Sequence, residues 1–418
     1  MLSEQVLSQI INDQKEIFLK KEIGIPRMVK TKQLLETKRI VVITGIRRSG
    51  KSTLLRQIAK KLKSFYYINF DDERLFNFEL SDFQKLILCF QKMEKSKTLL
   101  IDEIQNVPNW ERFVRRIYEE DYKIFITGSN AKLLSSELST HLTGRYKKTE
   151  LYPFSFTEYL KYKKIVTTNI TTQKQAQILT AFNTYLKQGG FPEYVRYNDI
   201  EDLQNVYNDI IYKDLIVRFN IRNQKAFKNL AHYLLSNFTK EISYTSLKSI
   251  SNINNNNTIK DYIEYLQQSY LLFECYKFDY SLKKQLSYSK KIYAIDNGLR
   301  NSIAFRFNTD LGQLLENVVY IELKKQYGEV WFYKTNKNHE VDFCVQSTEI
   351  LLFQVSYELE TGKTRNREIR SLIEAMHELK TDKGYILTYN QFETIETENG
   401  KIEILPFWYY LTEQLNTK

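Results

Sequence analysis

Residues 45–53 read GIRRSGKST, preceded by the apolar run RIVVIT and followed by TLLRQIAKKL. No other feature constrains the fold as much. The short β-branched run predicts a buried strand and the spacing after the loop predicts a helix. Gly45, Gly50, Lys51 and Ser52 fill every fixed position of G-x-x-x-x-G-K-[ST]. Glycines at both ends let backbone N–H groups turn onto a phosphate chain, and the helix N-terminus adds partial positive charge. Lys51 would neutralise the outer phosphates and Ser52 would give its hydroxyl to magnesium. The candidate nucleotide-binding segment is therefore Gly45, Ile46, Arg47, Arg48, Ser49, Gly50, Lys51, Ser52 and Thr53, with ATP and Mg2+ as expected ligands. Arg47 and Arg48 stay open between solvent, phosphate and a neighbouring subunit.

A second strand, in KTLLIDEIQNVPNWE, ends in Asp102-Glu103. Beside a phosphate loop, Asp102 would hold magnesium and Glu103 would orient and polarise the water that attacks the γ-phosphate. A third strand, YKIFITGSN, ends in Ser129 and Asn130, either of which could hydrogen-bond that water or the γ-phosphate, or cap the helix that follows. Arg145, in LTGRY, could reach a γ-phosphate as an arginine finger in its own subunit or the next, the latter implying a homo-oligomer; a plain surface role is the alternative.

The order GIRRSGKS, LLIDE, ITGSN, LTGRY, LYPFSFTEYL and KQGGFPEYV resembles a prokaryotic family of AAA-type ATPases related to the archaeal and STAND-like ATPases. The resemblance runs essentially the full length. It implies ATP binding, hydrolysis, and a parallel sheet flanked by helices. Gly189-Gly190-Phe191-Pro192 is a hallmark of that family without an obvious catalytic role.

The rest of the chain must be folded too, since 42% of residues are hydrophobic and only 5 are proline. At 418 residues it is long enough for several domains. Cys89, Cys275 and Cys344 lie far apart without metal-ligand spacing. No apolar run is long enough to span a membrane, and the N-terminus lacks the apolar core of a signal peptide, so the expectation is a cytoplasmic protein. A net charge of +11 leans towards an acidic partner such as DNA.

The expected organisation is an N-terminal helix (1–28), a P-loop ATPase core (29–175), a helical lid or connector (176–225), a winged helix-turn-helix (226–298) and a C-terminal α/β domain (305–418). In the fourth segment SYTSLKSI reads as the second helix, NNTIKDYIEYLQQ as the recognition helix, and LLFECYKFDYSLKKQLSYSKKIYAI as the wing hairpin. Asn256, Asn257, Thr258 and Lys260 would enter the major groove, while Lys283, Lys284, Lys290 and Lys291 would hold phosphates. A winged helix that contacts protein instead remains open.

The C-terminal domain resembles the restriction-endonuclease-like core, in which carboxylates on adjacent strands bind magnesium and a nearby lysine helps to activate water. Its matching positions are Glu316, Asp342, Gln354 and Ser356. Gln354 is neutral where an acid is usual and Ser356 cannot supply an ammonium, so a fold without cleavage is favoured. Lys324 or Lys334 could have taken over the ammonium's role, and Glu340 and Asp342 could persist as a structural or weak metal site. The readings left are an ATP-driven switch or motor on DNA, an assembly ATPase that binds protein, and an ATP-licensed metal-dependent nuclease.

Overall fold

The computed structural model describes residues 2–129, 142–253, 255–304, 310–359 and 362–416. They form two compact units, one of residues 1–153 with 268–270 and one of residues 154–267 with 271–418.

In the first unit α1 (Glu4–Lys20), α2 (Thr31–Glu36), α3 (Lys51–Ala59), α4 (Phe83–Met93) and α5 (Trp110–Glu119) surround five strands. These are β1 (Ile40–Thr44), β2 (Tyr66–Asn69), β3 (Thr98–Asp102), β4 (Lys123–Gly128) and β5 (Tyr146–Glu150), in the order β2-β3-β4-β1-β5. All are parallel. Parallel sheets need cover on both faces, and alternate side chains divide accordingly. Ile40, Val42, Ile101 and Ile126 pack with α1, α4 and α5, while Val41, Ile43, Leu100 and Phe125 pack with α3. The edge strand β2 is closed by α1: the Gln14 side-chain amide donates to Asn69 O and accepts from Asn69 N, at 3.0 and 2.8 Å. Phe18 stacks on Tyr67 one turn further on. An unpaired sheet edge is thereby given a partner.

The second unit begins with helices. They are α6 (Phe156–Tyr162), α7 (Thr172–Gln188), α8 (Pro192–Tyr197), α9 (Ile200–Asp209), which runs on as a π-helical stretch over Ile210–Val217, and α10 (Gln224–Ser236). Next come β6 (Glu241–Ile242), α11 (Tyr244–Ser251), α12 (Asn256–Gln268), β7 (Leu272–Lys277), α13 (Leu282–Ser287), β8 (Lys290–Ala294) and α14 (Asn297–Ile303). The C-terminal part holds α15 (Leu311–Tyr327), β9 (Trp331–Lys334), β10 (Glu340–Gln346), β11 (Ile350–Val355), α16 (Lys363–Leu379), β12 (Lys383–Thr388), β13 (Glu393–Thr397), β14 (Gly400–Pro406) and α17 (Phe407–Asn416).

The strands of both segments join one mixed sheet, ordered β13-β14-β12-β11-β10-β9-β7-β8-β6. The join is the parallel pairing of β7 with β9. Residues expected as a wing and residues expected as a separate C-terminal domain therefore share a sheet. β7 and β8 pair antiparallel, as a wing hairpin would, with α13 between them. Two further strands, β13 and β14, follow β12 and complete that end of the sheet.

The GGFP segment has a structural task. Asp296 caps α14 by accepting from Leu299 N at 2.9 Å, and also accepts from Gly190 N at 2.6 Å. A Cβ on Gly189 would lie 2.1 Å from the Asp296 carboxylate and one on Gly190 would lie 2.1 Å from Phe154 O. Gly189 also takes φ +71°, which favours glycine. Burial pushes Asp296 up to about 6, against the backbone N–H groups that favour its charge.

Candidate nucleotide site

Strand β1 runs straight into the loop and α3 leaves it, so the loop lies at the C-terminal edge of the parallel sheet, where open α/β sheets bind ligands. Gly45 has φ +149°, and a Cβ there would lie 2.0 Å from Leu151 O, so only glycine fits against β5's exit. Gly50 has φ +97° and forms the N-cap of α3. Arg48 also takes a positive φ, +60°, which is uncommon for a side-chain-bearing residue. Lys51 is buried at 5% exposure, its Nζ 3.2 Å from Gly45 O and 3.1 Å from Ile46 O, which puts the ammonium inside the curve of the loop. The Ser49 hydroxyl is buried without a hydrogen-bond partner among the described residues.

Arg27 buttresses this loop from the N-terminal segment. Its guanidinium donates to Ser49 O and Tyr152 O, both at 2.7 Å. Gln57 on α3 ties the same segment down by donating to Ile23 O and Ile25 O. Sequence reasoning missed Arg27, because its partners are main-chain carbonyls up to 125 residues away.

Asp102 ends β3 and is buried, and the Ser52 hydroxyl hydrogen-bonds to it. Burial and then the neighbouring Glu103 charge push its pKa up, while Thr127, Ser52 and Lys51 favour its ionised form. Thr127 is the organising residue here. Its hydroxyl donates to Asp102 Oδ1 and accepts from Glu103 N at 3.1 Å. The sequence signal existed: Ile101 pairs with Ile126 in parallel register, which puts Thr127 beside Asp102. Glu103 takes φ +51° and is half-buried, its carboxylate receiving the Gln105 side-chain amide. Strained backbone of this kind concentrates at functional sites.

Of the other candidates, Ser129 is buried at the end of the described part of β4's exit. Asn130 lies outside the described residues. Arg145 is not brought to the loop. It precedes β5, its carbonyl accepts from Ile40 N at 2.8 Å, and its side chain pairs with Glu119 at 3.2 Å. That is the N-terminal edge of the sheet, about 16 Å of strand from the loop at roughly 3.3 Å per residue. An arginine side chain cannot cross that distance within one chain.

The second unit gathers Glu316, Glu340 and Asp342 around Lys291, while Lys334 reaches only Glu340 of the three, at 3.8 Å. Gln354 is engaged elsewhere, accepting from Asp342 N at 3.2 Å and donating to Glu368. Ser356 donates to Glu358 O at 2.8 Å. Lys290 and Lys291 are buried, contrary to the phosphate contacts expected of them on a wing. Lys290 donates to Leu286 O and Tyr288 O. Lys283, Lys284, Asn257 and Lys260 are exposed.

Residues 37–160 match the family described as AAA domain, residues 179–310 a domain of unknown function (DUF8612), and residues 311–410 another (DUF4143). Uncharacterized protein MJ1544 of Methanocaldococcus jannaschii is 39% identical over 98% of this chain and 96% of its own length. The chain belongs to the family of that protein. An uncharacterized protein of Haemophilus influenzae is 31% identical over 89% of the chain and 94% of its own length, so the similarity spans nearly all of both proteins. Among solved structures, AMPPCP-bound DnaA from Aquifex aeolicus is 14% identical over 57% of this chain and 85% of its own, with a TM-score of 0.23. Saccharomyces cerevisiae Hsp104 in complex with casein is 13% identical over 67% and 61%, with a TM-score of 0.31. No helix among the described residues is long and apolar enough to cross a membrane.

Proposed function

We propose that this chain is an ATP-binding and ATP-hydrolysing AAA-type switch or motor. The observation that carries the proposal is the convergence of the Ser52 hydroxyl on the Asp102 carboxyl beside the buried Lys51 ammonium. These residues fit a magnesium-bound triphosphate. The loop's two glycines hold positive φ, which turns the backbone as a phosphate cradle requires, and the buried Ser49 hydroxyl is a polar group in want of a partner. Magnesium held through Ser52 and Asp102 would neutralise charge on the phosphates.

The protein's own residues do the rest. Backbone N–H groups from Ile46 to Thr53 bind the phosphates, and Lys51 turns its ammonium to the outer ones. Glu103 accepts a hydrogen bond from the attacking water and so aims its oxygen at the γ-phosphate. Thr127 fixes Glu103 relative to Asp102 through the hydroxyl they share. Asn130 is proposed as a second contact to that water or to the γ-phosphate. Arg145, too far from its own loop, would serve a neighbouring copy's γ-phosphate, which requires a homo-oligomer.

DNA is the proposed partner of the second unit. A winged helix-turn-helix reading is supported by the order α10, α11, α12 and the β7–β8 pair. With Lys290 and Lys291 buried, the contact surface contracts to the start of α12 and to Lys283 and Lys284. A protein partner is the second reading, favoured by Tyr280, Leu282 and Leu286, which are 82%, 68% and 58% exposed on the same segment. The test is steady-state ATP hydrolysis with and without double-stranded DNA over a salt series, with Glu103→Gln as the blank. Stimulation that fades as salt rises supports phosphate-contacting DNA engagement. Hydrolysis indifferent to DNA at low salt refutes it and leaves the protein-binding reading.

A further inference from the structure

The second unit holds a concentration of buried charge that nucleotide chemistry does not use. Lys291, on β8, is 4% exposed. Its Nζ lies 2.7 Å from Glu340 Oε1, 3.2 Å from Glu316 Oε1 and 3.5 Å from Asp342 Oδ1. Glu316 arrives from α15, 25 positions after Lys291, and Glu340 and Asp342 arrive from the start of β10, about 50 positions after it. Burial alone would discharge such a lysine. Here Glu316, Asp342 and Glu340 reverse that and hold its ammonium well above the usual lysine range.

Neighbouring polar groups tie into the cluster as well. Asp342 Oδ2 accepts from Val355 N at 2.9 Å, and the Tyr293 hydroxyl donates to Glu316 Oε1 at 2.7 Å. Lys334 pairs with Glu241 and stands 3.8 Å from Glu340. Arg367 pairs with Glu368 at 2.6 Å. Among the described residues no group of three or more His, Cys, Asp or Glu is arranged to hold a metal ion. The point where the carboxylate oxygens converge is the point the ammonium fills.

We propose that the Lys291 ammonium is the resident cation of this cluster, standing where a divalent metal would otherwise neutralise Glu316, Glu340 and Asp342. Two consequences follow. The cluster locks β8 to α15 and β10 electrostatically and offers no site for metal-dependent cleavage. Removing the ammonium while keeping the side chain's length, as in Lys291→Met, leaves three carboxylates around a space that a divalent ion fills at about 2.0–2.6 Å from oxygen after small side-chain shifts.

The probe is Mn2+ with the nucleotide-free full-length chain carrying Asp102→Asn, which silences the nucleotide site. Bound and free Mn2+ are separated by electron paramagnetic resonance, and unfolding is followed in parallel. Lys291→Met is expected to gain one Mn2+ site that Glu340→Gln removes, whereas Lys291 protein shows none. A folded Lys291→Met chain that gains no site overturns the proposal. So does a Lys291 chain that already binds Mn2+, or whose melting temperature Mn2+ raises, in a way that Glu340→Gln abolishes. That second arm needs no Lys291 variant, so it decides the matter even if Lys291→Met fails to fold.

Discussion

Thr127→Val isolates the hydroxyl that joins Asp102 to Glu103 while keeping the side chain's shape. Two hydrogen bonds go. The one to the buried Asp102 carboxylate is charge-assisted and worth about 1.5–3 kcal/mol, and leaving Glu103 N without an acceptor costs about 1–3 kcal/mol. The new methyl, buried in a position with no exposure, returns roughly 1 kcal/mol. The expected net loss is about 2–4 kcal/mol, since losses within one network are not additive. Native-state hydrogen exchange of the peptide covering 98–107, measured over a urea series, reads this locally, where a whole-chain melt would mix two units. ATP turnover should fall with little change in ATP affinity, because Glu103 loses the contact that holds its φ of +51°. Thr127→Ser keeps the hydroxyl and should recover most of both. A valine variant within about 0.5 kcal/mol of the parent, or a serine variant as damaged as valine, would refute the bridging role.

Gly190→Ala forces a Cβ to within 2.1 Å of Phe154 O and should destabilise the second unit by about 2 kcal/mol or more, read as a lower urea midpoint. An unchanged midpoint would mean the GGFP segment is not held as described. Asp296 binds its proton more tightly folded than unfolded, at about 6 against the ordinary 3.8, so its contribution to stability is lost as pH rises through that window. The span corresponds to about 3 kcal/mol at most, and Asp296→Asn should remove that part of the slope between pH 4 and 6.5; parallel slopes in the two proteins would contradict it. Inactive Arg145→Ala and Glu103→Gln chains should partly restore hydrolysis when mixed, and an unrescued mixture would remove Arg145 from catalysis.

The nucleotide site was legible because its signal is local. A strand, a glycine-bounded loop and a helix are contiguous in residues 40–59, and Asp102-Glu103 closes an equally plain strand. What escaped depends on register and on distant main chain. Thr127 was passed over for Ser129 and Asn130 although its pairing beside Asp102 follows once β3 and β4 are neighbours. Arg145 sits in a loop whose motif suggested reach, and only the parallel pairing of β5 with β1 shows which edge of the sheet it occupies. The task of Gly189 and Gly190 is set by Asp296, 106 residues on, and no local pattern carries that. Lys291 looked like a phosphate contact because basic hairpins usually are exposed. The β7–β9 pairing that buries it joins segments whose strand patterns are each complete on their own. β13 and β14 alternate polar and apolar residues in ETIETENGKIEIL, an edge hairpin easily read as a solvated tail.

The most direct test of the central claim compares ATP binding and ATP turnover in Lys51→Ala and Glu103→Gln under identical conditions. If the loop holds the phosphates and Glu103 polarises the attacking water, Lys51→Ala should lose nucleotide binding. Glu103→Gln should keep ATP bound and hydrolyse it at no measurable rate. Equal loss of binding in both, or undiminished turnover in Glu103→Gln, would contradict the division of labour on which this account of the site depends.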